Sequence, residues 1–352
     1  MKICVIAGSL YIASETVYGS ESMSAQLADA LGGMQDEVTL LAAPQSQEGK
    51  YKLVHMPCTY GQISLEAESF PYDEYPELLL DSDLILDRSA TQRTAEDLWF
   101  FENREWVEHR VICYSSGGWA TPREPVRTKL HYVAVSQIHK QHGIEKGLDG
   151  AKIHIIPYGI DGELYCPDYG SKEDFALYVG APRQEKGIMA ILGIAKRMPD
   201  QQFVLAWRVF SDVHKEADRE FREKLKCMGL KNVRYQELSD GEKGLKEKIR
   251  LYQQAKCFLQ PSSKDYCEYL GLTTLESLSC GTPVIRESWG SSPEVIESGV
   301  HGFLCNEIDD YIRSIKVVDK IDPHECRKLI EDRYTKERYA RDHLSLFQEL
   351  NL

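Results

Sequence analysis

A chain of 352 residues is longer than one hydrophobic core usually serves, so its length favours two domains. With 42% hydrophobic and 28% charged residues the balance is that of an ordinary soluble protein, and a net charge of -13 speaks against broad nucleic-acid binding, which rests on many Lys and Arg contacts to phosphate. No run approaches the roughly 18 consecutive apolar residues of a membrane span; "MKICVIAG" enters a strand-like segment instead of a signal peptide, so the expected location is the cytosol.

In chain order, "KICVIAG", "EVTLLAA", "YKLVHMP", "DLILD", "RVICYSS", "YVAVS" and "IHIIPYG" are short apolar runs separated by amphipathic or charged segments. Strands apolar on both faces, alternating with helices, form a parallel sheet covered on each side. Residues 19 to 31 predict a helix with Met23, Leu27, Ala30 and Leu31 on one face. The "DSD" at 81 to 83 precedes "LILD" at its amino end, the wrong edge for a ligand, and reads as a solvated turn. After the loop-rich "PYGIDGELYCPDYGSKED" the rhythm restarts with "FALYVG", "QFVLAW", "NVRYQ", "KCFLQPS", "TPVIRES" and "GFLC". Residues 186 to 198 predict a helix burying Ile188, Ile191, Leu192 and Ala195; residues 212 to 228 predict a solvated helix, and "KERYARDHLSLFQEL" an amphipathic one. The expected organisation is a first domain over 1–165, a second over 166–334, and a terminal helix over 335–352 packing back toward the first. Ten scattered cysteines show no C-x-x-C pair or zinc spacing; Cys4, Cys113 and Cys257 lie in apolar runs and are expected as reduced core thiols.

Two doubly wound domains bind ligands at the carboxyl ends of their strands. A dinucleotide enzyme would place G-x-G-x-x-G after the first strand, and "GSLYIASETVYGSES" lacks it. Chemistry concentrates instead in "SKDYCEYLGLTTLESLSCGTPVI". Here a strand ends near Ser262, a loop with Gly271 follows, and a helix is expected to begin near Thr273. Two readings of Glu276 stay open: a capping box with Thr273 as N-cap, or a carboxylate that accepts hydrogen bonds from a ribose diol beside an anion-binding helix start. Glu268 precedes the helix and cannot cap it, so its carboxylate reads either as a solvated loop group or as a contact to a sugar. Gly271 between them lets backbone approach a ligand closely. In "YVGAPRQEKGIMAIL" Arg183 and Lys186 occupy the turn after the first strand of the second domain, where they can offset the charge of a departing diphosphate.

Together these segments resemble the retaining nucleotide-sugar glycosyltransferases of family 4. The resemblance is densest in "EYLGLTTLESLSCGTPVIRESWGSSPEVIESGVHGFL", with support from "VAVSQIHKQHGI", "IHIIPYGIDGELYCP", "GAPRQEKG" and "YGSESMSAQLADAL". It implies the GT-B fold, an α/β architecture of two Rossmann-like doubly wound domains facing across a cleft. It also implies a metal-independent enzyme without cofactor that moves a sugar from a nucleotide-diphosphate sugar to the hydroxyl of a glycan, glycolipid or small-molecule acceptor. By the same resemblance Glu268 contacts the donor sugar, Glu276 holds its ribose, Lys186 holds its diphosphate, and Gly19 and Ser20 approach the donor. The backbone of Leu270, Gly271, Leu272, Thr273 and Thr274 adds contacts to sugar and phosphates. The chain departs from the family pattern in three places. Ala181 replaces an arginine, with Arg183 as the substitute; Ser116 stands near a family histidine; and "AWRVF" replaces a glycine turn, which makes Arg208 a second phosphate candidate. The alternatives are an epimerase of the same fold and a degenerate nucleotide-sugar binding protein. On the acceptor side, Trp119, Arg123, Arg127 and Lys129 leave open a solvated loop or a peripheral membrane contact for a lipid-linked acceptor.

Overall fold

The seven apolar runs of the first half form β1 (Lys2–Ile6), β2 (Glu37–Ala42), β3 (Lys52–His55), β4 (Leu84–Asp87), β5 (Val111–Tyr114), β6 (His131–Ala134) and β7 (Ile153–Ile155). They pair in the order β3-β2-β1-β4-β5-β6-β7, every pairing parallel. The second half contributes β8 (Phe175–Val179), β9 (Gln202–Trp207), β10 (Val233–Glu237), β11 (Cys257–Gln260), β12 (Val284–Glu287) and β13 (Gly302–Cys305), in the parallel order β10-β9-β8-β11-β12-β13. These strands belong to a computed structural model that describes residues 1–7, 20–35, 37–44, 46, 48–56, 74–89, 92–101, 104–114, 122–209 and 212–350. Central strands such as β4, β5, β8 and β11 are buried along their whole length, whereas the edge strands β3 and β10 mix exposed and half-buried residues. The apolar runs of β5 and β8 are thus interior strands, and the mixed runs of β3 and β10 are edges.

The first unit comprises Met1–Gly159 with Lys336–Leu352, the second Ile160–Thr335. The division comes earlier than the expected 165, and the reason is local. Ile160 N donates to the Tyr334 carbonyl (2.7 Å) and Tyr165 OH donates to Glu276 (3.0 Å), so this stretch is tied into the second sheet's surroundings. The terminal helix Lys336–Glu349 belongs to the first unit, where Tyr339, Ala340, Leu346 and Phe347 share a core with Val5, Leu27, Leu31 and Leu40. The helix Ser20–Gly32 buries Met23, Leu27, Ala30 and Leu31, as its periodicity predicts. Arg88, directly after β4, donates Nε to Ser24 Oγ and Nη1 to Tyr339 OH, both at 2.9 Å, and lies 4.5 Å from the centre of the Tyr114 ring. One buried guanidinium thus fastens the terminal helix to the helix after β1.

In the second unit Ile188–Arg197 buries the four predicted residues. Asp212–Met228 is mostly solvated but also buries Phe221 and Asp218, the latter accepting Trp207 Nε1 at 3.0 Å. In the "DSD" turn, Asp81 and Asp83 take Lys2 Nζ and Lys2 N, each at 2.8 Å, at the amino end of β1. Cys4, Cys113 and Cys257 are buried free thiols, whereas Cys166 and Cys227 are free and exposed. Among the described residues no helix is long and apolar enough to cross a membrane.

Two buried histidines give the first unit an acid limit. His343 stacks on Tyr114 with ring centres 5.6 Å apart and bonds through Nδ1 to the Tyr339 carbonyl; His139 Nδ1 accepts the Val135 N–H at 3.2 Å. Burial pushes each pKa from 6.5 down to about 3. The unfolded chain therefore binds protons that the folded chain refuses, so this contribution is complete above pH 6.5 and is lost as pH falls toward 3. Each histidine is expected to cost about 2 kcal/mol of stability between pH 7 and pH 5. Urea unfolding at the two pH values checks this. Equal midpoints, or a slope that His343→Phe leaves unchanged, would contradict it.

Candidate active site at the switch point of the second sheet

The strand order of the second sheet reverses between β8 and β11, and the loops that leave the carboxyl ends of these two strands meet there. Gly187 closes the first loop at φ +79°, and a Cβ on it would lie 1.8 Å from the Pro261 carbonyl oxygen. Only glycine allows this contact, which sets Lys186 against the second loop. Lys186 Nζ lies 2.6 Å from Glu268 Oε2 and 4.4 Å from the centre of the Tyr266 ring, and both partners of the ion pair keep about a fifth of their side chains exposed (22% and 18%). Burial pulls the ammonium down, but the Glu268 carboxylate and the Tyr266 phenol outweigh it and leave its pKa raised, so Lys186 is charged. Glu268 Oε2 also accepts Gln260 Nε2 at 3.1 Å, and its main-chain carbonyl accepts Ser291 N (3.1 Å) and Ser291 Oγ (2.8 Å). Glu268 is therefore not a solvated loop group.

The next helix runs from Leu272 to Ser279, and its N-cap is Gly271 at φ +84°, without a side-chain cap. This corrects the expectation of Thr273 as N-cap. The glycine turns the chain into the helix earlier, and its carbonyl accepts Thr274 N (3.0 Å) and Leu275 N (3.2 Å). Among the described residues the N–H groups of Leu272 and Thr273 have no acceptor. With the helix dipole they form a helix start that is able to accept an anion.

Glu276 is no cap either. At 7% exposure it accepts Lys248 Nζ (2.8 Å), Tyr165 OH (3.0 Å) and Tyr252 OH (2.9 Å). Its helix turns the carboxylate inward against the helix Gly241–Gln254. Beneath the Gly271 turn lies an ion pair in β12: Arg286, fully buried, donates Nη2 to Glu287 Oε1 at 2.9 Å. Its Nη1 donates to the Leu270 carbonyl at 3.2 Å.

The other two candidates have acidic neighbours of their own. Arg183 is half exposed and paired with Glu185 at 3.2 Å; Arg208 is buried and lies 3.6 Å from Asp240. After burial, these two arginines are what lower the pKa of His214, so positive charge gathers along this edge. Gly19, Ser116 and Trp119, with the Ser20 side chain, lie outside the described residues; the Ser20 backbone opens its helix. Of the predicted donor residues, the fold brings together Lys186, Glu268 and the Leu270–Thr274 turn.

Gln260, Lys248 and Arg286 were not singled out by sequence. Lys248 had a readable signal, because it shares a helical stripe with Leu245 and Tyr252. Gln260 and Arg286 each sit at the end of an apolar strand run, where a polar residue marks the ligand edge.

Residues 168–334 match the family model described as Glycosyl transferases group 1. Sucrose synthase 5 of Oryza sativa subsp. japonica is 29% identical over 143 residues, which cover 38% of this chain and only 16% of that protein's length. Two solved structures align over 99% of this chain and 99% of their own. Sucrose-phosphate synthase from Thermosynechococcus elongatus has a TM-score of 0.77 at 15% identity, and Anabaena HepE, in complex with UDP and glucose, has 0.74 at 14% identity. At such identities the likeness is one of fold. The chain therefore has the two-sheet GT-B fold, and its second unit matches the group 1 glycosyl transferases over residues 168–334.

Proposed function

We propose that the chain is a retaining glycosyltransferase that moves a sugar from a nucleoside-diphosphate sugar to an acceptor hydroxyl without a metal. The observation that carries this reading is the charged Lys186, 2.6 Å from Glu268 across the switch point and next to the uncapped helix start at Gly271. A diphosphate seated on the free N–H groups of Leu272 and Thr273 would meet Lys186, with Arg183 and Arg208 along the same edge. That arrangement offers fixed positive charge where a leaving diphosphate develops negative charge. Glu268 would face the sugar, binding its hydroxyls and opposing positive charge on an oxocarbenium-like carbon. Glu276 already accepts three hydrogen bonds. A carboxylate has about four lone-pair sites, so one remains for a ribose hydroxyl. The group 1 match and the UDP and glucose bound by the similarly folded HepE support the donor class.

Thermal shift against UDP-, GDP- and ADP-sugars, followed by acceptor-dependent release of nucleoside diphosphate in EDTA, tests the reading. A raised melting temperature with one donor and chelator-resistant release are expected. Loss of release in EDTA would remove the metal-free part. Turnover without acceptor would point to an epimerase, and binding without any turnover to a degenerate binding protein.

A further inference from the structure

A hydrogen-bond chain runs under the site and ends on Glu268. It starts at Arg286, which is fully buried in β12 and donates Nη1 to Thr274 Oγ1 at 3.1 Å. The Thr274 hydroxyl, having accepted that bond, donates its single proton to Gln260 Oε1 at 2.8 Å. With its oxygen so engaged, Gln260 turns its amide nitrogen to Glu268 Oε2 at 3.1 Å, the same oxygen that takes Lys186 Nζ at 2.6 Å. Gln260 and Thr274 are 3% and 0% exposed, so water does not compete for these groups.

The direction of the chain has one solution. A guanidinium only donates, a hydroxyl has one proton to give, and an amide presents oxygen on one side and nitrogen on the other. The Glu268 carboxylate only accepts and therefore takes the amide nitrogen, so the Gln260 oxygen takes the Thr274 proton and the Thr274 hydroxyl accepts from Arg286. Reversal would set an amide oxygen against a carboxylate. The far end is equally fixed: Glu287 accepts Arg286 Nη2 (2.9 Å), Ser292 Oγ (2.9 Å) and Ser262 N (3.3 Å). Arg286 Nη1 also holds the Leu270 carbonyl at 3.2 Å, so the same guanidinium grips the turn that opens the helix.

We propose that Arg286, Thr274 and Gln260 form a positioning relay that holds the Glu268 carboxylate and the Leu270–Gly271 turn in the geometry for donor turnover. This rests on the glycosyl-transfer reading above. None of the three relay side chains needs to touch the donor. They act through Glu268, and a misplaced reacting group costs up to about a hundredfold in rate.

The test uses Thr274→Val, which keeps shape and backbone, Gln260→Leu, and the double variant, with Arg286 left in place so that Glu287 keeps its partner. Each single change is expected to lower kcat about tenfold with donor KM within about twofold, and the double variant to fall no further than Gln260→Leu alone, because a relay fails as a unit. A merely structural role would lower the melting temperature and leave kcat, measured well below it, unchanged; that result would overturn the proposal. Multiplying rate losses in the double variant would do the same. A crystal structure of Gln260→Leu without donor supplies a readout that needs no activity. The Glu268 carboxylate should have left Lys186, and an unmoved carboxylate overturns the relay. If the unaltered chain turns over no nucleotide sugar, the glycosyl-transfer reading fails, while the crystal structure still decides the relay.

Discussion

Replacing Glu268 by glutamine is expected to lower turnover about a hundred- to a thousandfold, the range for removing one preorganised electrostatic contact at a reacting centre. Glutamine has the same shape and still offers an oxygen to Lys186, so the loop keeps its form and the loss reports charge. The effect on binding should run the other way. Lys186 is committed to the carboxylate at 2.6 Å, and the negative charge of that carboxylate repels an incoming diphosphate. Without the negative charge, Lys186 is free for the phosphates, and nucleoside diphosphate should bind as tightly as before or tighter. Steady-state kcat beside calorimetric affinity checks both halves at once. A kcat within threefold of the unaltered chain would mean that Glu268 serves only to hold Lys186. A parallel loss of affinity would mean that the loop has collapsed.

Sequence patterns carried the fold far and the site only part of the way. All the apolar runs named from sequence became strands, because a strand covered by helices on both faces is apolar at most positions, and such runs have few other uses in a soluble chain. The helix Ile188–Arg197 was equally legible from its spacing. The meeting of Lys186 and Glu268 was readable because both follow strands at one sheet edge. The N-cap was not, because a positive-φ glycine can open a helix without any of the side chains that normally advertise a cap. Lys248 was hidden by its neighbours: in "GEKGLKEKIRLYQQ" every lysine looks solvated, and only the stripe through Leu245 and Tyr252 separates the buried one from the rest. Arg286 and Gln260 were hidden for another reason. Their roles depend on partners 12 and 14 residues away in sequence, Thr274 in both cases, and no local pattern encodes such a meeting.

Glu276→Ala is expected to cost stability before it costs binding. The change removes the 2.8 Å carboxylate partner of Lys248 Nζ, at 3% side-chain exposure, and the carboxylate that accepts from the hydroxyls of Tyr165 and Tyr252. Breaking a buried pair by removing one member costs about 3–5 kcal/mol. At about 2–4 °C per kcal/mol for a domain of this size, the melting temperature should fall about 10 °C. A weak donor signal from this variant would then say little about ribose, since part of the sample would be unfolded. The pair as a whole has small net worth, because desolvation offsets most of its attraction. Lys248→Met combined with Glu276→Gln should therefore recover most of the lost stability, and only that background separates the two roles of Glu276. If nucleoside-diphosphate affinity stays low in the recovered double variant, the carboxylate holds the ribose. If affinity returns with stability, Glu276 serves the fold alone. A Glu276→Ala variant that melts within about 2 °C of the unaltered chain would contradict the buried pair itself.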